Sequence, residues 1–280
     1  MRSTVKNGKV DVMTAEQEVR FTGGGREIEG YLALPRGEGP FPALIVIQEI
    51  WGLVDHIKDV ARRFANEGYV ALAPDLYTGE WREVMSPERI AAGMAFLRNA
   101  PQEVQRDPSK LESALLERPQ EERDAIKMLA TVMSPNQRFR FAEDLLGAVE
   151  YLKSRTEVDG DRIGSIGFCM GGAVSGYLAT LSPDLRAAVI FYGQSPPLER
   201  IPDIRSHVLG IYGGEDHRIT NTVPELEETM KEAGKSFEYH IYPGAPHAFF
   251  NDTRDNYREE AARDAWRRAL AFLGETLRRE

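Results

Sequence analysis

The sequence predicts an α/β fold with a mostly parallel, doubly wound sheet. Short apolar runs alternate with helix-length segments along most of the 280 residues, as expected for parallel strands joined by crossover helices. The run Ala43–Ile47 is apolar at every position, which is typical of a strand buried on both faces. No linker or internal repeat divides the chain, so we expect a single domain over residues 1–280.

The elements follow this pattern in order. Two alternating runs, 18–22 and 27–34, flank Gly23-Gly24-Gly25 and predict an antiparallel hairpin at the start. The buried run at 43–47 leads into a predicted helix over 56–67, with Gly68 as its stop. Further strands are predicted over 69–73, 162–167, 187–191, 208–212 and 236–242. A last helix over 257–278 should dock on the sheet through one stripe of residues: Trp266, Leu270, Leu273 and Leu277.

Residues 79–140 depart from this alternation. Strand patterns are missing there, and the helical patterns are interrupted by five prolines: Pro87, Pro101, Pro108, Pro119 and Pro135. Ten Lys/Arg and nine Asp/Glu lie between Trp81 and Arg140, a mixture typical of a solvated helical surface rather than a binding patch. Since connections in α/β units are usually short, we interpret 79–140 as a helical insertion and a candidate lid.

The composition excludes several classes of binding partner and of structure. The 35 Lys+Arg against 44 Asp+Glu give a net charge of −9, without the clustered basic residues that nucleic-acid binding requires. The single cysteine rules out a disulfide framework. The longest dense apolar run is far too short for a membrane span, and the first 21 residues lack the apolar core of a secretory signal. We therefore expect a cytoplasmic monomer or homodimer without nucleic-acid or membrane partners.

One segment has the spacing of a nucleophile elbow, with cysteine in place of serine. Gly167, Cys169 and Gly171 lie between a predicted strand and a predicted helix. Small residues on either side let the chain bend back closely, and the Met170 N–H at the helix start could stabilise an oxyanion. The helix dipole there favours a thiolate. A buried structural cysteine is the alternative, but the flanking strand and helix favour a nucleophile.

The acid and the histidine of such a site follow the nucleophile in that order. Asp216 comes after the predicted strand 208–212, and His247 comes after the strand 236–242. Both therefore belong to the same sheet edge as the elbow, where α/β proteins build sites. Glu215 could replace Asp216, although the order favours Asp216. His217, which is adjacent to Asp216, is likewise an alternative that the order sets aside in favour of His247. Histidines expected to be structural or solvated are His56, His207 and His240, and Asp75 is expected to be a turn residue.

The loop after the first parallel strand should supply the second oxyanion donor, which points to the Ile50 N–H. Glu49 is unusual there, because a carboxylate beside a buried strand costs several kcal/mol unless it has a partner. Glu49 is therefore either a paired structural residue or part of the site.

Together these segments resemble the dienelactone hydrolase family, also called carboxymethylenebutenolidases, which has the α/β-hydrolase fold. The matching motifs are QEIWG, APDLY, GFCMGG, FYG, GGEDH and PHAF. The resemblance implies a triad of Cys169, Asp216 and His247, and an oxyanion hole made by the Ile50 and Met170 amides. It also implies that Glu49 contacts or competes for the thiol in the resting enzyme. Aromatic residues of the motifs expected to line the substrate are Trp51, Tyr77 and Tyr192. It implies no cofactor, and the sequence has no metal-spaced cluster.

Two positions depart from the family. Its members that act on dienelactone carry an arginine two residues after PDLY and another four residues after the catalytic histidine. Gly79 and Asn251 occupy those positions here, and neither can replace a bidentate arginine. Alternative cations are Arg82, Arg218 and Arg254.

The expected function is hydrolysis of carboxylic esters or enol-lactones through a thioester acyl-enzyme. The alternative is a broad aryl carboxylesterase or phosphotriester-type hydrolase that uses the same triad on neutral substrates. A redox-sensing role for Cys169 is disfavoured because there is no second cysteine to resolve it.

Overall fold

The computed structural model describes residues 15–116 and 118–277, and its centre is an eight-stranded sheet in the order β1-β2-β4-β3-β5-β6-β7-β8. The strands are β1 Ala15–Gly23, β2 Arg26–Leu34, β3 Phe41–Ile47, β4 Val70–Pro74, β5 Val158–Phe168, β6 Leu185–Phe191, β7 His207–Gly213 and β8 Phe237–Tyr242. Strands β3 to β8 are parallel, while β2 is antiparallel to both β1 and β4. The predicted fold class is confirmed.

The initial hairpin pairs β1 with β2 along their full length, from Ala15 opposite Leu34 to Gly23 opposite Arg26. Gly24 and Gly25 form its turn with φ of 57° and 79°, a region that glycine enters without steric cost. The predicted hairpin is thus confirmed. The segment assessed for a secretory signal lies mostly in residues 1–14, outside the described residues.

Helices cover both faces of the sheet. They are α1 Asp55–Asn66, α2 Glu80–Val84, α3 Pro87–Asn99, α4 Gln102–Arg106, α5 Pro108–Leu115, α6 Gln120–Val132, α7 Pro135–Lys153, α8 Met170–Leu181, α9 His217–Thr220, α10 Val223–Glu232 and α11 Glu259–Thr276, with a 3-10 helix at Leu198–Asp203. One face packs against α1 and α11, and the other against α7, α8 and α10. Within the described residues, no helix combines the length and the apolar character needed to cross a membrane.

The last helix docks on a face slightly different from the predicted stripe. Its most buried residues are Ala262, Ala265, Ala269 and Leu273. Small alanine side chains let α11 approach the sheet closely, so Trp266 lies at the border of the contact, with its ring centroid 4.4 Å from that of Phe64. Arg278, the predicted end of the helix, lies outside the described residues.

In the described part of this segment, five helices, α2 to α6, separate β4 from α7. The predicted insertion at 79–140 ends inside α7, which is itself part of the core because Phe141 and Ala142 are fully buried against the sheet. Motion of the insertion as a lid stays a prediction.

Candidate active site

Four of the predicted site residues follow the carboxyl ends of four parallel strands. Glu49 follows β3, Cys169 follows β5, Asp216 follows β7 and His247 follows β8. Because parallel strands end at one edge of the sheet, loops from distant parts of the sequence meet there. The topology thus brings the predicted nucleophile, acid, histidine and buried glutamate into one region.

The turn at Cys169 is tightly bent. Cys169 caps the start of α8 with φ of 57° and ψ of −114°, a conformation rarely adopted outside glycine. A Cβ at Gly167 would lie 1.9 Å from the Gly171 carbonyl oxygen, and one at Gly171 would lie 2.4 Å from the Ile47 and Gln48 oxygens. Close backbone contact therefore requires both glycines of the predicted elbow.

His247 is paired with Asp216, since His247 Nδ1 lies 2.5 Å from Asp216 Oδ2. Burial opposes a charge on His247, but the neighbouring Cys169 and the hydrogen bond to Asp216 outweigh it and raise the pKa of His247 to about 10. Glu215, the alternative acid, instead donates its backbone N–H to the Ala245 oxygen. The geometry therefore favours Asp216 as the partner of the histidine.

The remaining histidines have other surroundings. His56 is buried and lies 3.3 Å from Asp252, His207 contacts Ser236, and the ring of His240 packs on Tyr242. His217 starts α9, directly after Asp216. None of them lines the cavity at Cys169 in the described part of the chain.

Backbone strain is concentrated at this edge. In the described residues, the non-glycine residues with positive φ are Cys169, Tyr192 with 38° and Ala248 with 60°. Tyr192 follows β6, and its ring centroid lies 5.1 Å from that of His247. Strained conformations persist where the surroundings enforce them, commonly at functional sites. The positions of these strained residues do not depend on the sequence motifs, yet they lie in the region that the motifs also indicate.

Tyr77 lies behind the predicted oxyanion loop. Its hydroxyl donates to the Ile50 carbonyl at 2.9 Å and lies 3.8 Å from Met170 Sδ, so one buried side chain contacts both residues whose amides are predicted to bind the oxyanion. The Met170 N–H, at the first turn of α8, has no intrahelical acceptor. Gly52 closes the loop with φ of 86°. Through these two contacts, the Tyr77 side chain holds the loop of Ile50 beside Met170 at the start of α8.

Glu49 is held by two buried side chains. Asn251 Nδ2 donates to Oε2 at 2.6 Å, and the Tyr192 hydroxyl donates to Oε1 at 3.4 Å. Glu49 is 1% exposed and Asn251 2%. Burial raises the pKa of Glu49 above its ordinary value, against the opposing effect of the Asn251 hydrogen bond. From the sequence, Asn251 is notable only because it occupies the position of a family arginine, and its role as the partner of Glu49 is not predicted. Contact between Glu49 and the thiol stays a prediction.

Replacing Glu49 by glutamine should stabilise the protein increasingly as pH rises. The folded-state pKa of Glu49 lies above the ordinary value of 4.5, so the wild type loses stability as pH rises from there through the folded pKa. Glutamine does not titrate. Melting temperatures measured from pH 4 to 9 should show that the melting temperature of Glu49→Gln increasingly exceeds that of wild type as pH rises. A difference that shrinks as pH rises would contradict a pKa of Glu49 raised by burial. Glu232→Gln, at an exposed position on α10, controls for the loss of one charge.

A cavity of about 120 Å³ opens at Cys169. Its lining comprises Ile50, Met94, Met133, Arg138, Cys169, Met170, Ala173, Tyr192, Gln194, Arg218, Ile219 and His247. Tyr192 is thus in the lining of the cavity, whereas Tyr77 is behind it and Trp51 packs under Arg254, whose guanidinium lies 4.2 Å from the ring centroid. Substrate contact by these three aromatic residues stays a prediction.

The arginines considered as alternative cations lie at different places relative to the cavity. Arg82 pairs with Asp75 at 2.5 Å and Glu29 at 2.7 Å, away from the cavity, and Asp75 also caps the turn by accepting from the Tyr77 N–H. Of the three arginines considered from sequence, Arg218 lines the cavity. Arg138 also lines it and was missed, because its segment had the mixed charges of a solvated surface.

In residues 15–116 and 118–277 there is no group of three or more His, Cys, Asp or Glu side chains that could hold a metal ion.

Comparison with known proteins gives consistent matches. The family model described as "Dienelactone hydrolase family" matches residues 28–277. A "Putative carboxymethylenebutenolidase" of Saccharolobus solfataricus is 40% identical over 259 residues, covering 92% of this chain and 98% of the relative. A protein of the same description from Methylorubrum extorquens is 35% identical, covering 86% and 74%. The crystal structure of a "Putative Dienelactone Hydrolase" from Klebsiella pneumoniae is 30% identical, with a TM-score of 0.70 and coverage of 93% and 99%.

Proposed function

Because the chain belongs to the dienelactone hydrolase family, we propose that it hydrolyses carboxylic esters or enol-lactones with Cys169 as the nucleophile. The observation that carries this proposal is the position of Cys169. It caps α8 in a strained conformation within a cavity that His247 also lines, and His247 is paired with Asp216. Relatives named carboxymethylenebutenolidases support an ester or lactone as the substrate class.

In the first step, His247 takes the proton of the Cys169 thiol. Asp216 accepts the Nδ1–H of His247, which leaves Nε2 to face the thiol. The raised pKa of His247 means that the imidazole holds this proton while the thiolate attacks the substrate carbonyl carbon. The carbonyl π electrons move to oxygen, and the oxyanion is bound by the Ile50 and Met170 amides.

The intermediate collapses when the oxyanion restores the carbonyl and expels the alcohol or enol oxygen, which His247 protonates. Cys169 is then a thioester. His247, now neutral, accepts a proton from a water molecule, whose oxygen attacks the thioester. Collapse of this second intermediate breaks the C–S bond and releases the carboxylic acid. The proton on His247 then returns to the sulfur, which restores the thiol and the neutral imidazole.

Sulfur limits the range of leaving groups. A thiolate leaves a tetrahedral intermediate more readily than an alkoxide does, so the intermediate from an alkyl ester mostly returns to substrate. Forward collapse requires an oxygen leaving group of comparable stability, such as an enolate or phenolate. The proposed substrates are therefore enol-lactones and aryl esters.

We compare the two esters by kcat/KM, each divided by the rate of its spontaneous hydrolysis. By this measure, phenyl acetate should be hydrolysed at least about tenfold faster than ethyl acetate. Iodoacetamide should abolish the activity, and it reports on one residue because Cys169 is the only cysteine. Both are measured by steady-state kinetics before and after alkylation. Full activity after stoichiometric alkylation would contradict a cysteine nucleophile, and a preference for ethyl acetate would contradict the leaving-group argument.

A further inference from the structure

Strand β8, Phe237–Tyr242, forms one outer edge of the sheet. It pairs in parallel with β7 along its whole length, and no strand in the described part of the chain lies on its other side. A strand at an edge presents a row of N–H and C=O groups to whatever lies beside it. One side of β8 is therefore available for pairing.

The hydrogen bonds to β7 identify the residues whose backbone groups point outward. The carbonyls of Ser236 and Tyr242 accept from N–H groups at the two ends of β7, at 3.0 Å and 2.8 Å. Because the direction of the backbone groups alternates along a strand, the even-numbered residues of β8 face β7. The outward-facing residues are Phe237, Tyr239 and Ile241. Among residues 15–116 and 118–277, their N–H and C=O groups have no hydrogen-bond partner.

The side chains of β8 do not protect this edge. Edge strands of soluble proteins commonly carry charges, a proline or a bulge that discourages pairing. The other outer strand, β1, carries exposed charges at Glu16, Glu18 and Arg20. The sequence of β8, FEYHIY, has neither lysine nor proline, and its register with β7 is continuous. The β8 edge therefore lacks most of the features that prevent strand pairing.

Helices hold both faces of β8. The Tyr239 hydroxyl donates to Glu227 Oε2 of α10 at 3.0 Å, and the Tyr242 hydroxyl donates to Asp264 Oδ2 of α11 at 2.8 Å. The rings of Phe237 and Tyr239 stack with their centroids 5.6 Å apart. These contacts fix the strand in its extended form, so little conformational entropy is lost when another strand pairs with it.

The order of residues in β8 is complementary to itself. When a second copy lies antiparallel with a two-fold axis at Tyr239, Phe237 faces Ile241 of the second copy, and Glu238 faces its His240. Every outward N–H then meets an outward C=O. Apolar side chains meet on one face of the joined sheet, and on the other face a carboxylate meets an imidazole, which can donate a hydrogen bond in either protonation state. Opposite side chains of antiparallel strands lie close enough to interact, with Cβ atoms about 4.5–5.5 Å apart.

We propose that β8 is a homodimer interface, through which two copies of the chain join their eight-stranded sheets about a two-fold axis at Tyr239. The occupant of the edge is a second copy because one strand supplies both members of every pair: donor and acceptor, carboxylate and imidazole, and two apolar side chains. Such isologous contacts are the commonest type in soluble oligomers.

Sedimentation equilibrium of the full chain tests the dimer. At about 100 µM protein, we expect a mass twice the chain mass of 31.4 kDa. Glu238→Lys places a cation opposite the imidazole at both symmetric positions and should raise the dissociation constant at least about tenfold. Combining Glu238→Lys with His240→Glu restores opposite charges and should return the constant to within about threefold of wild type.

Glu18→Lys is the matched control. It makes the same chemical change at an exposed position of β1, on the opposite edge of the sheet, and should leave the dissociation constant unchanged. Thermal melts identify a variant that fails to fold. The interface would be overturned by a wild-type mass of one chain at that concentration, by a dimer that Glu238→Lys leaves intact, or by a dimer that Glu18→Lys weakens equally.

Disulfide cross-linking tests the register without relying on the charge variants. Glu238→Cys and His240→Cys are each made together with Cys169→Ala, which removes the only other cysteine. In the proposed register the two positions face each other with Cα atoms about 4.5 Å apart, within the range of a disulfide, whereas identical positions are about 7–8 Å apart, beyond that range. Under mild oxidation, a mixture of the two variants should give covalent dimers on a non-reducing gel, and each variant alone should give few. No cross-linking in the mixture, or equal cross-linking by one variant alone, would overturn the proposed pairing.

Discussion

Replacing Cys169 by alanine is expected to lower kcat/KM on 4-nitrophenyl acetate by about a thousandfold or more, because removal of a catalytic nucleophile leaves only the catalysis of the remaining site. Cys169 lies partly exposed at the cavity, so alanine removes one sulfur atom without opening a core cavity. The melting temperature should therefore change little. Steady-state kinetics together with thermal melts check both expectations, and full retention of activity would exclude Cys169 as the nucleophile.

Cys169→Ser is the informative companion variant. Serine has nearly the same size and can also be activated by His247, but its alkoxide is a poorer leaving group than a thiolate. A serine intermediate should therefore collapse forward more evenly for alkyl and aryl esters. We expect Cys169→Ser to be slower on phenyl acetate and to show a smaller ratio of phenyl to ethyl acetate hydrolysis than wild type. An unchanged ratio would show that sulfur does not determine the choice of leaving group.

Replacing Gly171 by alanine is expected to destabilise the protein by about 3 kcal/mol or more, a loss typical of severe overpacking. The new Cβ would lie 2.4 Å from the Ile47 and Gln48 oxygens, and backbone atoms cannot move aside as the end of a side chain can. The start of α8 would have to shift away from β3 and displace the Met170 amide. Urea denaturation measures the change in the free energy of unfolding, and hydrolysis of 4-nitrophenyl acetate should fall with it.

Gly274→Ala provides the matched control on another helix. Gly274 lies in α11, and a Cβ there meets no atom within 4 Å. Because alanine is favoured over glycine inside helices, this substitution should stabilise the protein by about 1 kcal/mol. The same chemical change is thus expected to act in opposite directions at two helical glycines. Equal effects would mean that helix propensity, not backbone contact, governs Gly171.

The parts of the site that follow strands could be predicted from sequence. Cys169, Asp216 and His247 each follow an apolar run, and the rule that parallel strands end at one edge is enough to bring them together. Glu49 was recognised as a buried carboxylate that requires a partner, because its position directly after β3 implies burial. Local pattern therefore placed these four residues near one another, while their catalytic roles stay proposals.

The contributions that depend on packing between distant elements could not be predicted. Asn251 was interpreted through its departure from a family pattern, and only the fold brings its amide to Glu49. Arg138 lies beside Arg140 in a segment of mixed charge, and nothing in the sequence distinguishes the arginine that faces the cavity from the one that faces solvent. The position of α7 over α8 makes that distinction.

The division of the site between the sheet edge and the helices beside it has an evolutionary consequence. The proposed reacting groups stand on turns whose backbone is confined by neighbouring backbone, as at Gly167 and Gly171, and such positions tolerate few substitutions. Met94, Met133 and Arg138 come instead from α3, from the loop before α7 and from the first turn of α7, where side chains can change without disturbing the turns. A lineage could therefore acquire new substrates by exchanging this helical segment while it inherits the same chemistry.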